Sequence, residues 1–361
     1  MIRVCLMHAR RLVTAVAVIP LLALGVASAP PSSAAPSTTV GLYGASDPTY
    51  DGVWRQSMAI MGLAANGITP PTAAVTWLLG QQCADGSFQM YRADLSVPCG
   101  PSDPVNYTGP DTNATAAALM ALMALDTGAI TLPKRTLLAA VDAADSAATW
   151  LAGKQNADGG WPYFPGAASD ANSTGLSLSG LLTQAPSYDI PAYRKAARFL
   201  STVAAPCSAG GGLAYMAGSK VEGSATAQGV VGLVGPMPVS GPRTLAARTT
   251  CGTSAQSRAL FYLDRQFTRS GLLPSALSPG ETDYANSAAG TLALVAAGTG
   301  RAAVAKATKS LKSTARTFAT AQGTNPTAVG LLLMVAEATG SSPRSFGGLD
   351  LVSTLSASLR R

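Results

Sequence analysis

Histidine is all but missing. The single one, His8, lies among the first residues of a 361-residue chain. That stretch reads as a leader to be removed, which leaves the mature protein with no histidine. A Ser-His-Asp triad, an HExxH zinc site and any His-dependent zinc centre are thereby excluded. Aromatics are sparse at 6% (four Trp, ten Tyr and seven Phe) and charged residues make up only 12%. Yet hydrophobic residues reach 47%, so alanine carries much of the apolar content, and glycine is abundant at 37. Such a profile suits closely packed helices with small residues at their contacts. No CxxC occurs, and no second apolar run after the leader is long and uninterrupted enough to anchor the chain in a membrane.

Residues 1–29 have the layout of a secretory signal peptide. Arg3, Arg10 and Arg11 precede the apolar "LVTAVAVIPLLALGV", and the small residues Ala27 to Ala29 follow. Pro30 disfavours cleavage directly after Ala29, so the cut is left open. Arg10–Arg11 hints at twin-arginine export, but the residues behind it fit general secretion better. A Pro/Ser/Ala linker over 30–41 and one domain over 42–361 complete the expected layout. The expected location is extracellular or cell-wall associated. Four cysteines remain after the leader: Cys83, Cys99, Cys207 and Cys251. An even number in an oxidising compartment allows three pairings, of which the sequential Cys83–Cys99 and Cys207–Cys251 are favoured.

The formal charge of +7 falls to about +4 once the three leader arginines are subtracted. Residues 301–361 hold eight Lys/Arg against Glu337 and Asp350, and Lys309, Lys312 and Arg316 share one helical stripe. A solvated outer face is the plainer reading, and a weak contact with an anionic cell envelope the sharper one. With no aromatics interleaved, nucleic-acid binding is not expected.

Self-similarity at about sixty residues dominates the rest. "WLLGQQCADGSF" from Trp77 and "WLAGKQNADGGW" from Trp150 align Gln82 with Gln155, Asp85-Gly86 with Asp158-Gly159, and Phe88 with Trp161. Fainter copies carry Phe261/Gln266 and Phe318/Gln322. A second element follows most of these turns, starting at Asp111, Asp170, Glu222, Asp283 and Asn325, with an earlier member from Trp54. Each begins polar, has Ser/Thr in its first turn in most copies, and runs apolar for about three turns. Acid at the start and Gly after the end are helix boundary signals. More charged amphipathic stretches alternate with these near 72–82, 137–155, 191–204, 254–268, 301–320 and 348–359. The expected fold is all-α: about six helical hairpins in two layers, an α6/α6 toroid.

These residues resemble the QW-type (prenyltransferase/squalene-oxidase) repeat of the squalene-cyclase and protein-prenyltransferase superfamily, in a secreted, bacterial-type form. The resemblance rests on Trp77/Gln82/Asp85-Gly86/Phe88 and Trp150/Gln155/Asp158-Gly159/Trp161. It implies inner helices that all point one way around a funnel, with the active region at their N-terminal ends. In the motif, the aromatic packs between hairpins, Gln bonds the backbone at the end of the outer helix, and Asp-Gly makes the tight reversal.

The family chemistry has no counterpart. There is no DxDD acid for a terpene cyclase, and "ETDYANS" places Ala285 where a prenyltransferase would have a ligand Cys. Metal and cofactor are therefore not expected. Asp111, Asp170 and Asp283 remain weak catalytic candidates. With Glu222 they read first as helix caps, and alternatively as a polar rim that binds a cation or sugar. Trp161, Tyr163, Phe164, Tyr215 and Tyr284 fall in or beside the same loops, either packing or contacting a ligand. The expected function is a non-catalytic toroid that holds a small molecule, lipid or protein partner in its funnel. An isoprenoid-active enzyme using the rim carboxylates is the alternative. A glycan-active (α/α)6 enzyme would need two carboxylates roughly 6.5–9.5 Å apart for inversion, and too few aromatic platforms are present for sugars.

Overall fold

The computed structural model describes residues 39–184 and 190–361. Residues 1–38, which include the stretch expected to be a signal peptide, lie outside the described residues, as do residues 185–189. Twelve α-helices occur in the described residues: α1 Gly52–Ala65, α2 Thr72–Gly80, α3 Thr112–Met123, α4 Lys134–Ala152, α5 Ala171–Gln184, α6 Pro191–Thr202, α7 Gly223–Val234, α8 Ala255–Ser270, α9 Tyr284–Ala296, α10 Arg301–Thr320, α11 Pro326–Ala338 and α12 Leu351–Ala357. A 3-10 turn covers Cys207–Ala209, and two-residue strands β1 (Leu273–Pro274) and β2 (Thr282–Asp283) pair antiparallel, Leu273 opposite Asp283. Among the described residues the fold is of the all-α class apart from this small sheet.

Two kinds of helix alternate, as the patterning predicts. α1 buries twelve of its 14 residues and α11 buries eleven of 13. By contrast α6 buries Ala196, Phe199 and Leu200 alone of its twelve, and its remaining positions are mostly charged or small. A helix apolar all round has to be enclosed by others, whereas one with a single apolar stripe covers them. Accordingly the odd-numbered helices pack on one another in succession, α1 on α3, α3 on α5, α5 on α7, α7 on α9 and α9 on α11, and α11 returns to α1. Close approach requires small residues. At the α5–α7 contact a side chain on Gly175 or Gly232 would run into the backbone of the opposite helix.

The last contact is reinforced by the chain ends. Tyr43 bridges Leu359 antiparallel, Gly41 N–H donates to the Arg360 carbonyl at 2.9 Å, and Arg360 N–H returns a bond to Leu42 at 2.9 Å. The Arg360 guanidinium also donates to the carbonyls of Gly44 and Ser46.

The Trp-Gln-Asp-Gly turns connect the even-numbered helices. Gln82 Nε2 donates to the Gly86 carbonyl at 3.0 Å and to Ala143 of α4 at 2.8 Å. Gln155 repeats this with Gly159 at 2.8 Å and Ala192 of α6 at 3.0 Å. The glutamine thus ties its own turn to the next even-numbered helix, a longer reach than capping the helix it follows. Gly86 and Gly159 have φ of +90° and +95°, and a Cβ there would sit 2.6 Å from the Ser146 carbonyl and 2.5 Å from that of Lys195. Glycine is required twice over, by backbone conformation and by contact. Trp150 Nε1 reaches back to Asp85 Oδ2 at 3.0 Å, joining the two strong copies.

Both sequential disulfides form, Cys83–Cys99 and Cys207–Cys251, with sequence separations of 16 and 44. Chain-entropy reasoning makes the longer loop worth more, by about 1 kcal/mol. Paired Cys→Ala variants compared by urea denaturation should show Cys207/Cys251 removal as the costlier by that margin. The opposite order would mean that strain or residual unfolded structure outweighs loop closure.

Candidate functional site

The acids that start the odd-numbered helices do cap them, with one exception. Asp111 Oδ1 accepts the Ala114 N–H at 2.7 Å. Asp170 accepts the Ser173 N–H and hydroxyl, both at 2.8 Å. Asp283 accepts the Asn286 N–H at 3.0 Å and its side-chain amide at 2.7 Å. Glu222 sits at the same position of α7 but takes only the Ser224 hydroxyl, at 3.2 Å, and no backbone N–H. Its extra methylene carries the carboxylate past the helix start.

Four residues after each acid a hydroxyl holds the incoming turn. Thr115, Thr174, Thr226 and Ser287 accept the backbone N–H of Phe88, Trp161, Leu213 and Leu273 at 2.8–3.0 Å. The repeated Ser/Thr is therefore a stitch that fixes where each turn meets its helix.

Asp111 differs from its counterparts in one respect. Its Oδ2 is buried and has no hydrogen-bond partner, and Asn113 Oδ1 and Asn172 Oδ1 share that condition. Burial raises the Asp111 carboxyl to about 7, against the lowering effect of its backbone bonds. Asp170 is also raised by burial, but its bonds to Ser173 and the Tyr215 hydroxyl oppose the shift. Tyr163 and Tyr215 are pushed up, first by burial and then by these carboxylates, Tyr215 to about 12. The buried Asp111 and Asp170 and the half-buried Tyr163 and Tyr215 thus influence one another's titration.

Two adjoining cavities lie at and below these helix starts. The mouth is walled by Tyr50, Asp51, Trp54, Met90, Asp111, Asn113, Ala114, Tyr163, Leu176 and Gln228, and about 270 Å³ of it is open to the centre of a water molecule. The deeper cavity shares Trp54, Leu176 and Gln228, and has about 80 Å³ by the same measure. Its wall takes residues from all six long odd-numbered helices: Met58 and Met61 from α1, Met120 from α3, Leu176 from α5, Val231 from α7, Leu292 from α9, and Leu331 and Met334 from α11, with Met237 beyond α7. Gln228 Nε2 donates to Asn286 Oδ1 at 2.8 Å between the two spaces. One water needs roughly 10–15 Å³ by this kind of measure, so the inner space exceeds a single water and is almost wholly apolar.

The sequence-predicted site residues separate on this geometry. Asp111 and Tyr163 line the mouth. Asp170, Glu222 and Asp283 do not line either cavity, and Tyr215 stands behind Tyr163, bonded to Asp170. Tyr284 stacks on Phe318 at 5.4 Å. Trp161 is corrected outright. It has no exposed surface, its Nε1 donates to the Leu151 carbonyl at 2.8 Å, and it is core rather than ligand contact. Phe164 is likewise buried, against Tyr163 at 4.6 Å. Sequence reasoning missed Trp54, Asn113, Gln228 and the five inner methionines. The density of Met in "MAIMGL" and "ALMALM" was the available signal.

Elsewhere, Lys309 and Lys312 of α10 line an outer groove with Arg243 and Arg301, whose guanidinium groups donate to the Ala296 and Leu245 carbonyls. Arg316 is exposed on the same helix. Among the described residues no helix is long and apolar enough to cross a membrane, and no three His, Cys, Asp or Glu side chains cluster as metal ligands.

No family model and no curated protein matches the chain. Among solved structures, a protein from Actinoplanes is similar over 80% of this chain and 100% of its own, with 17% identity and a TM-score of 0.34.

Proposed function

We propose that this is a secreted α6/α6 toroid, of the kind its Trp-Gln-Asp-Gly repeats resemble, that holds a ligand in its central funnel without transforming it. The observation that carries the reading is an apolar cavity walled by all six long odd-numbered helices. The unbroken succession of contacts from α1 to α11 and back supports closure. Two disulfides fit an oxidising destination outside the cell. A binding rather than catalytic role is favoured because Asp170 and Asp283 are engaged by the first turns of their own helices. The exposed cations of α10 would add a weak contact with an anionic cell envelope.

Native mass spectrometry of the protein purified from its own secretions, followed by a denatured run, tests this. The expected result is a small mass lost on denaturation, and a denatured chain four hydrogens lighter than its reduced form, as two disulfides require. Turnover of a polyprenyl or glycan substrate, abolished in Asp170→Asn, would replace binding with catalysis.

A further inference from the structure

The mouth holds two buried acceptor oxygens that no neighbouring donor meets. Asp111 Oδ2 is buried without a hydrogen-bond partner, and so is Asn113 Oδ1 two residues on. Both side chains line the same space. Its other walls supply no cation: no Lys, Arg or His lines it, and the nearby Asp51 carboxylate is held by Arg55. A buried carboxylate oxygen left unmet is costly, and a ligand that brings N–H groups recovers that cost. Trp54, Tyr50 and Tyr163 supply aromatic faces, which attract a cation further. An anionic head such as a phosphate would meet Asp111 with no cation in the lining to offset it. Below the head, Trp54 and Leu176 lead into the methionine-lined cavity, whose flexible thioethers adapt to a slender chain.

We infer that the mouth takes the head group of a primary alkylammonium, whose chain enters the methionine-lined cavity. This rests on the funnel reading above and names the ligand class for it. A primary ammonium has three N–H donors, enough for Asp111 Oδ2 and Asn113 Oδ1 with one to spare. A quaternary ammonium would keep the aromatic attraction and leave both oxygens unmet.

Ligand and proton compete for the same carboxylate. The titratable groups facing Asp111 are Tyr50 and Asp51 before and at the start of α1, and Tyr163 in the loop ahead of α5. Asp170 and Tyr215 stand beyond Tyr163, and α7 contributes the neutral Gln228. Because the free Asp111 carboxyl sits near 7, affinity for the amine is level between that pH and about 10, where the amine gives up its own proton. Below 7 the affinity falls about tenfold for each unit.

Titration calorimetry of the intact, disulfide-bonded protein with n-octylammonium, n-octanol and octanoate at pH 8 decides the matter. The amine is expected to bind at least about tenfold more tightly than the alcohol, with octanoate weakest. Asp111→Asn, which retains a capping side chain, should bring amine and alcohol to within about threefold of each other. The wild-type pH profile is a second test, and it does not depend on the variant folding. Equal binding of amine and alcohol, or a preference that survives in Asp111→Asn, overturns the alkylammonium assignment and leaves the funnel standing. Binding of none of the three compounds also overturns the alkylammonium assignment, and the funnel reading then stands or falls on the co-purified mass.

Discussion

Replacing Trp161 with alanine is expected to lower the unfolding free energy by about 3–5 kcal/mol. The side chain is among the largest with no exposed surface. Removing it opens a cavity that rigid helices on either side cannot close. Two bonds go with it or are weakened. The indole N–H that satisfies the Leu151 carbonyl at 2.8 Å has no replacement, and the backbone bond to Thr174 at 2.9 Å loses the packing that holds it. Leu151 lies in α4 and Thr174 in α5, so the residue fastens a covering helix to an enclosed one. Urea denaturation with both disulfides intact measures the effect. Trp54→Ala is the informative contrast, since Trp54 is half-buried in a cavity wall and should cost distinctly less. A Trp161→Ala loss below about 1 kcal/mol would show that the turn is not part of the cooperative core.

The second large effect concerns pH. Asp111 titrates near 7 in the folded protein and near 3.9 in an unfolded chain. The folded state therefore binds the extra proton. The stabilisation is complete below about pH 4 and is lost as pH rises through 7, amounting to roughly 4 kcal/mol over the interval. Asp111→Asn is uncharged throughout and keeps the helix cap, so its stability should lack that fall. Asp170 is shifted in the same direction and adds a slope common to both proteins. The quantity to read is the difference between wild type and variant, from urea midpoints at pH 4.5 and 8.5. Parallel curves would mean that Asp111 is solvated or already neutralised in the folded state. A bound ammonium would reverse the wild-type slope, because it supplies the charge that burial denies.

The layering was legible in the sequence because it is written in periodicity. Stretches apolar all round, such as "NPTAVGLLLMVA", became enclosed helices, and charged stretches such as 301–320 became covering ones. Both disulfides are the sequential pairs, the one of three possible pairings that the cysteine order favours. The site was harder to read. In a helix buried on every side, hydropathy does not distinguish the face toward a neighbouring helix from the face toward a cavity, so the methionine-dense runs around Met58 and Met120 read equally as packing or as cavity wall. The four acids looked equivalent because sequence gives helix position and not what surrounds the second carboxylate oxygen. Asp170 fills that oxygen with Ser173, and Asp111, followed by Asn113, does not. Trp161 misled for a related reason: a loop aromatic beside an acid has the same signature whether it faces ligand or core.

The central claim is that six helices enclose an apolar space able to admit a guest. Methyl spectra of the protein labelled with [methyl-13C]methionine, recorded with and without xenon pressure, test it most directly. Xenon enters dry apolar cavities without regard to head-group chemistry. The methyls of Met58, Met61, Met120, Met237 and Met334 should shift together, because all five line the inner cavity, while that of the exposed Met216 stays in place. Methyls that do not move, or shifts spread evenly over all the methionines, would show that no such cavity exists.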